Sequence, residues 1–368
     1  MILNMDPLAH TLVGATLAET RLKTWTTMAT PMLIFSANAP DIDVVTMLID
    51  RDLSLGFRRG WTHGVLALAL LPIFMTGLIL LLDRLVGQFR GRAPTARARP
   101  LLGLGYIAVW SHPVLDWLNT YGVRFLMPFD NTWFYGDALF IVDPWVWLLM
   151  GTTVVLAHSA SRVNKAAWVV LGVTVTSLVT GFQGTPPAAK LLWCVGVTGI
   201  VWLRISGHWQ RHLPQLAAVC LSSVTIYTIV MLAAAHLAES QISSWLAKHN
   251  DLPIEVMASP TPANPFRRDI LVVDAEHYHF LELDWLRAEP IRISSRSIER
   301  RANDRITKAA LAAPHVRGLA TWIRFPIFVV KESDDGYRVE ISDARYTRRA
   351  GSRLDATIVD LDRHLTVR

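Results

Sequence analysis

From Gly64 to Leu82 the chain runs nineteen residues without a charged side chain. As a helix this stretch is about 28 Å long, close to the ~30 Å hydrocarbon core of a bilayer. Further apolar runs occupy 101–119, 139–157, 166–182, 188–204 and 214–237, and two shorter ones precede them at 7–22 and 25–40. The expectation is an all-α multi-spanning membrane domain of about eight helices. Only 18% of residues are charged, against about a quarter in a soluble domain. Most of the acids fall after residue 240. The expected organisation is therefore a membrane domain at 1–240, a linker leading into the next domain at 241–268, and a soluble domain at 269–368.

The loops suggest an orientation. Arg84, Arg90, Arg92, Arg97 and Arg99 crowd one connection that contains no acid after Asp83. Positive loops stay in the cytoplasm, which places this loop inside. Arg21, Lys23, Arg162, Lys165, Arg204, His208 and Arg211 then fall inside as well, and the tail domain falls outside. The same rule accounts for the net charge of +6 without nucleic acid, for which there is no basic–aromatic stripe or zinc-finger spacing. The N-terminus lacks the basic start of a cleaved signal peptide. Cys194 and Cys220 lie inside apolar runs and read as packing residues, with no disulfide framework.

Ionisable residues at membrane depth are costly and usually functional or paired. Here they are His10, Asp41, Asp43, His63, His112, Asp116, Asp137 and Asp143. With eight spans all of them reach one outer-facing level. His112 and Asp116, spaced i,i+4, share one helix face, an arrangement suited to two ligands of one ion. Imidazole with carboxylate suits zinc, manganese or iron. Asn38-Ala39-Pro40 favours a non-helical backbone, on which Asp41 and Asp43 can face one way. A transporter would instead spread polar residues through the membrane, whereas the later helices carry no acid before Glu239. The aromatic group Trp133, Phe134, Tyr135, Trp145 and Trp147 reads as an interfacial belt.

Several of these residues sit in short motifs. The opening Met5-Asp6-Pro7-Leu8-Ala9-His10-Thr11-Leu12-Val13-Gly14 is one. Others are Pro40-Asp41-Ile42-Asp43, Arg59-Gly60-Trp61-Thr62-His63-Gly64 and the stretch from His112 through Asp116, Asn119, Thr120 and Tyr121 to Gly122. Pro128-Phe129 and Ile141-Val142-Asp143-Pro144 continue the series. In this order the motifs resemble a family of bacterial membrane-bound metal-dependent hydrolases, over about the first 160 residues and again at the 258–268 junction. A subgroup of that family has a tail domain like this one. Many members have a histidine where this chain has Arg58, and a serine is frequent where it has Gly64.

The resemblance implies one or two divalent ions, zinc or manganese, in a protein of the bacterial inner membrane. The ligands would come from His10, Asp41, Asp43, His63, His112, Asp116 and Asp143. Asp43 or Asp137 would serve as general base. Arg59 would pair with an anionic substrate group, and Asn119 and Tyr121 would fix the substrate or the ligands. A site at the membrane surface suits a phosphoester or a lipid-linked substrate. The competing readings are a non-enzymatic membrane module with a partner-binding tail, and a transporter. Gly-rich phosphate loops and a G-x-S-x-G elbow are absent from the sequence.

In the tail, Ala258-Ser259-Pro260-Thr261-Pro262-Ala263-Asn264-Pro265-Phe266 reads as a stiff linker or an extended first strand. Apolar or alternating runs at 269–274, 278–283, 325–331, 337–343 and 354–361 predict strands, and 296–313 predicts a helix ending near Pro314. The expected tail is a small α+β or mostly-β domain. His277 and His279 alternate along one of its strands and can face one way.

Overall fold

The structure, a computed structural model, describes residues 7–207, 209–249, 253–347 and 356–368. Met5 and Asp6 of the opening motif, and His208, lie outside the described residues.

The chain begins with a short helical hairpin, α1 (Pro7–Glu19) and α2 (Ala29–Asn38). Its turn uses two left-handed residues, Arg21 and Met28. Pro40 then sits near the start of a 3-10 segment at 39–48, which leads to α3 (Arg51–Phe57). Two long antiparallel helices follow, α4 (Val65–Phe89) and α5 (Ala98–Trp117). An irregular stretch at 118–143 precedes α6 (Pro144–His158), α7 (Arg162–Gly181), α8 (Pro187–Ser206) and α9 (Leu213–Lys248).

Four of these helices, α4, α7, α8 and α9, are long and apolar enough to cross a membrane. Their bare faces carry large apolar side chains, such as Leu70 and Phe74 on α4 and Val170 and Val173 on α7, as a lipid-facing surface requires. The expected body of about eight helices is borne out by nine among the described residues, of which these four meet the length and apolarity of a span. At 13 and 10 residues, α1 and α2 reach only about 20 and 15 Å, well short of the bilayer core. The run at 139–157 becomes a 15-residue helix because Asp143-Pro144 starts it late.

Side-chain contacts gather one face of the helical body. Asp83, buried near the end of α4, accepts from the Thr95 and Ala96 amides at 2.7 and 2.8 Å and pairs with Arg92. The Arg97 amide donates to Thr26 Oγ1 in the α1–α2 turn. Glu19, at the end of α1, meets Lys23 and His158, and Arg204 at the end of α8 bonds Ser159. The arginine-rich loop, the α1–α2 turn and the ends of α6 and α8 therefore share one level. α9 starts at that level and runs 36 residues, about 54 Å, to the opposite face.

The tail is α+β, as expected. Strands β1 (Glu255–Thr261), β2 (Asn264–Val273), β3 (His277–Asp284) and β4 (Ile291–Glu299) form an antiparallel sheet in chain order. Helices α10 (Arg305–Leu311) and α11 (Arg317–Trp322) lead to a second antiparallel sheet of β5 (Pro326–Ser333), β6 (Gly336–Asp343) and β7 (Thr357–Asp362). The Pro-rich segment forms the β1–β2 hairpin. The run predicted as one helix divides, because the alternation Ile291–Arg292–Ile293 continues as strand through Glu299 and only 305–311 is helical.

The tail rests on the helical body. Ala238, Ile242 and Leu246 of α9 pack in one cluster with Ala258, Ile270, Val272, Leu281 and Leu283 of the first sheet. The Asp52 carboxylate on α3 accepts from the Gly318 and Leu319 amides of α11, both at 2.8 Å. Arg268, fully buried, donates to the Asp137 and Met231 carbonyls. Trp133 and Trp145, read from sequence as belt residues, donate their indole N–H groups to the tail carbonyls of Thr321 and Ala263.

Candidate metal centre

Three separate parts of the body deliver the centre to the helix ends directed away from the arginine-rich loop. The 3-10 segment after α2 carries Asp41 and Asp43. The tight turn before α4 carries His63, with the Gly64 amide bonding back to the Gly60 carbonyl at 2.7 Å. The last turns of α5 carry His112 and Asp116, one turn apart on one face. Gly60 has a packing duty there. A β-carbon would sit 2.6 Å from Arg124 Nη2, whose guanidinium ties this turn through the Gly56 and Arg58 carbonyls.

Four ligand atoms converge: Asp41 Oδ1, His63 Nε2, His112 Nε2 and one Asp116 oxygen all lie within 4.8 Å of one another. The two Nε2 atoms are 3.2 Å apart. Asp116 Oδ2 is 3.2 Å from His63 Nε2 and 3.6 Å from His112 Nε2. Asp41 Oδ1 is 3.6 Å from His112 Nε2 and 4.0 Å from His63 Nε2. A tetrahedron with metal–ligand bonds of about 2.0–2.1 Å has edges of roughly 3.3 Å. The cluster has that size before any ion draws it in.

The tautomers point the same way. His112 Nδ1 lies 2.7 Å from the Ala37 carbonyl, which can only accept, so Nδ1 carries the hydrogen. The Thr62 hydroxyl donates to Asp43 Oδ2 at 3.0 Å, and its oxygen accepts from His63 Nδ1 at 2.9 Å. Both Nε2 atoms then present lone pairs to each other and to two carboxylates. Such a group repels itself unless a cation lies among the four atoms. Asp41 Oδ1 and both Asp116 oxygens are buried and accept no well-aligned hydrogen bond among the described residues, their contacts being ion pairs, which leaves lone pairs for the same ion. The residues present fit a divalent metal with a mixed nitrogen and oxygen set.

The remaining predicted residues take other places. In a 3-10 helix, residues two apart point about 240° apart, so Asp41 and Asp43 do not share a face. Asp41 faces the cluster. Asp43 stands behind His63, accepting from the Arg59 amide at 2.9 Å and from Thr62. The helical Ala39-Pro40 corrects the non-helical backbone expected there. His10 Nε2 lies 3.0 Å from Asp116 Oδ1, and its ring stacks on His112 with centroids 3.7 Å apart. Arg59, 1% exposed, places Nε 3.1 Å from Asp116 Oδ2 and donates from Nη1 to Asn119 Oδ1 at 3.0 Å. Tyr121 lies under the Arg59 guanidinium, 4.2 Å from ring centroid to Cζ.

Asp137 bonds Arg324 of the tail at 2.8 Å. Burial works against the Arg324 charge, but Asp137 and Glu255 outweigh it and hold the guanidinium above its ordinary value. Asp143 caps α6, accepting from the Trp145 and Val146 amides, and bonds the Tyr227 hydroxyl at 2.8 Å. In the tail, His279 pairs with Asp274 at 2.6 Å. Burial opposes that carboxylate, but His279 and the amides of His277 and Glu276 bring it down to about 2.

Two residues were absent from the sequence reading of the site. Thr62 precedes His63 in its motif, and its hydroxyl between Asp43 and His63 could have been anticipated. Arg58 was noted only as a departure from a histidine. It is buried, with Nε 3.8 Å from Asp43 Oδ1 and Nη2 3.9 Å from Asp41 Oδ1, so it sets a fixed positive charge beside the cluster. The other departure, Gly64, is explained by packing, since a β-carbon there would collide with the Met127 carbonyl.

Residues 5–186 match the family described as YdjM inner membrane protein. Over that stretch the chain is similar to the YdjM family. With four helices able to cross a bilayer, the protein is a multi-pass inner-membrane protein. The YdjM match takes in every residue of the metal cluster and stops before α8. No curated protein and no solved structure matches the chain.

Proposed function

We propose that this YdjM-type protein is a metal-dependent hydrolase that works at the outer membrane–water interface on a phosphoester, one carried by a lipid or a lipid-linked group. The observation that carries the reading is the meeting of two imidazole lone pairs and two carboxylate oxygens within 4.8 Å. Asp41, His63, His112 and Asp116 would hold the ion, zinc or manganese by donor type. Bound there, a divalent ion acidifies a water and polarises the scissile group.

The other residues have distinct duties in this reading. The Ala37 carbonyl and Thr62 fix the two ring tautomers. His10 and Arg59 hold the two oxygens of Asp116. Asp43 orients His63 through the Thr62 hydroxyl, and Asp137 is engaged by Arg324, so neither reaches an ion-bound water as a general base in this geometry. His10 and Asn119, with Phe140 and Asp143, line a small cavity of about 30 Å³ next to the cluster.

Two features support a substrate drawn from the membrane. Ile42, Val45, Leu48 and Ile49 on the segment bearing Asp41 are all exposed, an apolar ridge suited to acyl chains. The centre also lies on the face opposite Arg84–Arg99 and Arg204, the face that the positive-inside rule puts outside the cytoplasm.

The test is metal analysis of the purified full chain together with hydrolysis assays on chromogenic phosphomonoesters, phosphodiesters and carboxylic esters. Bound zinc or manganese and metal-dependent turnover of a phosphoester are expected, both lost in His112→Ala and Asp116→Ala. A folded protein without metal, indifferent to those substitutions, would instead favour a non-enzymatic module with a partner-binding tail.

A further inference from the structure

We propose that the soluble domain completes the metal centre, with Trp322 and Arg345 as positioning residues that hold Asp116 in its ligating direction through Arg59 and Tyr121. This rests on the metal reading above and adds a part of the chain outside the YdjM match.

The argument begins at the ligand. Asp116 presents one oxygen to the cluster, and Arg59 Nε, 3.1 Å away, fixes that oxygen. The Arg59 guanidinium must itself be fixed. Nη1 donates to Asn119 Oδ1 and to the Gly122 carbonyl, and the plane lies against the Tyr121 ring. Asn119 Oδ1 also accepts the Tyr121 amide at 2.8 Å, so ring and fork are tied to one oxygen.

Tyr121 is held from the tail. Its ring contacts Trp322, at the end of α11, with centroids 5.1 Å apart. Arg345 locks the pair. Nη1 donates to the carbonyls of Thr120, at 3.0 Å, and Tyr121, at 3.4 Å. Nη2 donates to the Trp322 carbonyl at 3.1 Å and to Asp343 at 2.8 Å. One planar fork thus ties the membrane body's main chain to the tail's, and its guanidinium also lies 4.6 Å from the Trp322 ring centroid. Tyr121 and Trp322 belong to the same buried cluster as the tail core residues Val339 and Val359. The stack from Asp116 to Trp322 is continuous, and no link in it is solvent-exposed. Groups that orient ligands typically change metal affinity 10–100-fold when lost.

The experiment measures zinc affinity of the full-length protein in detergent by competition with a chromophoric chelator. Wild type binds zinc. Trp322→Ala and Arg345→Lys weaken it by roughly tenfold or more, while Trp322→Phe, which keeps a ring against Tyr121, restores it. Leu283→Ala removes a buried side chain from a different core cluster of the tail and leaves zinc affinity unchanged while lowering thermal stability. Should Trp322→Ala not fold, Arg345→Lys and Trp322→Phe still decide. Zinc binding in wild type with full affinity in Arg345→Lys overturns the inference alone, as does equal weakening by Leu283→Ala. A wild type that binds no zinc overturns the metal reading and this inference with it.

Discussion

At the scale of single residues, the centre is defined by where protons sit. Thr62 and the Ala37 carbonyl keep hydrogens on the outer nitrogens of His63 and His112 and leave the inner ones bare. Thr62→Val should therefore weaken zinc binding roughly tenfold without changing its stoichiometry, measured by chelator competition. The charges also set a count. Asp41, Asp43 and Asp116 bring three negatives, and Arg58 and Arg59 return two positives. One divalent ion raises the sum to a single positive charge, room for one hydroxide or anionic substrate group. A second would leave three positives buried. Elemental analysis should return about one ion per chain; two would show that Arg58 does not stand in for a cation. The His112/Asp116 pair was legible from its spacing, since the helix itself enforces it. The opposed directions of Asp41 and Asp43 were not, because they turn on 3-10 rather than extended geometry.

At the scale of elements, hydropathy located the long helices well and misjudged the short ones. Many apolar residues in 7–22 and 25–40 pack against other helices, although Trp25 and Phe35 stay exposed. Leu33 and Ala37, for example, share a buried cluster with Leu101, Leu104 and Ala108 of α5. A buried helix and a spanning one look alike in composition, and only length against bilayer thickness separates them. Asp143 shows the same ambiguity for a polar residue, since a carboxylate before Pro144 reads equally as ligand or helix cap. Its partners are the first amides of α6 and Tyr227. Asp143→Ala is expected to cost about 1–2 kcal/mol in stability, the range for a lost cap, and to spare zinc affinity. Thermal melting and zinc titration of that variant check both halves, and a lost ion would return Asp143 to the ligand set.

At the scale of the whole molecule, the site's face and the tail's face are the same. The proposed function takes that face as external, on the positive-inside rule. In a Cys194→Ser background, Ser294→Cys on the exposed strand β4 should react with a membrane-impermeant maleimide added to intact cells once the outer membrane is permeabilised. Protection until lysis would invert the topology. The docking of the tail left no trace in the sequence, because Asp52, Gly318, Trp133 and Arg345 are far apart in the chain and each is unremarkable alone. A β-carbon at Gly318 would run into the Asp52 carbonyl, so Gly318→Ala should raise amide exchange in α3 and α11 while leaving α7 and α8 unchanged. α9 is a span along most of its length and a wall of the tail's core at its end, so the soluble domain is mounted on the bilayer rather than tethered to it. A fragment cut at Glu255 would present Ile270 and Leu283 to water. One that begins ahead of Ala238 would carry its missing wall along and fold with its sheet covered.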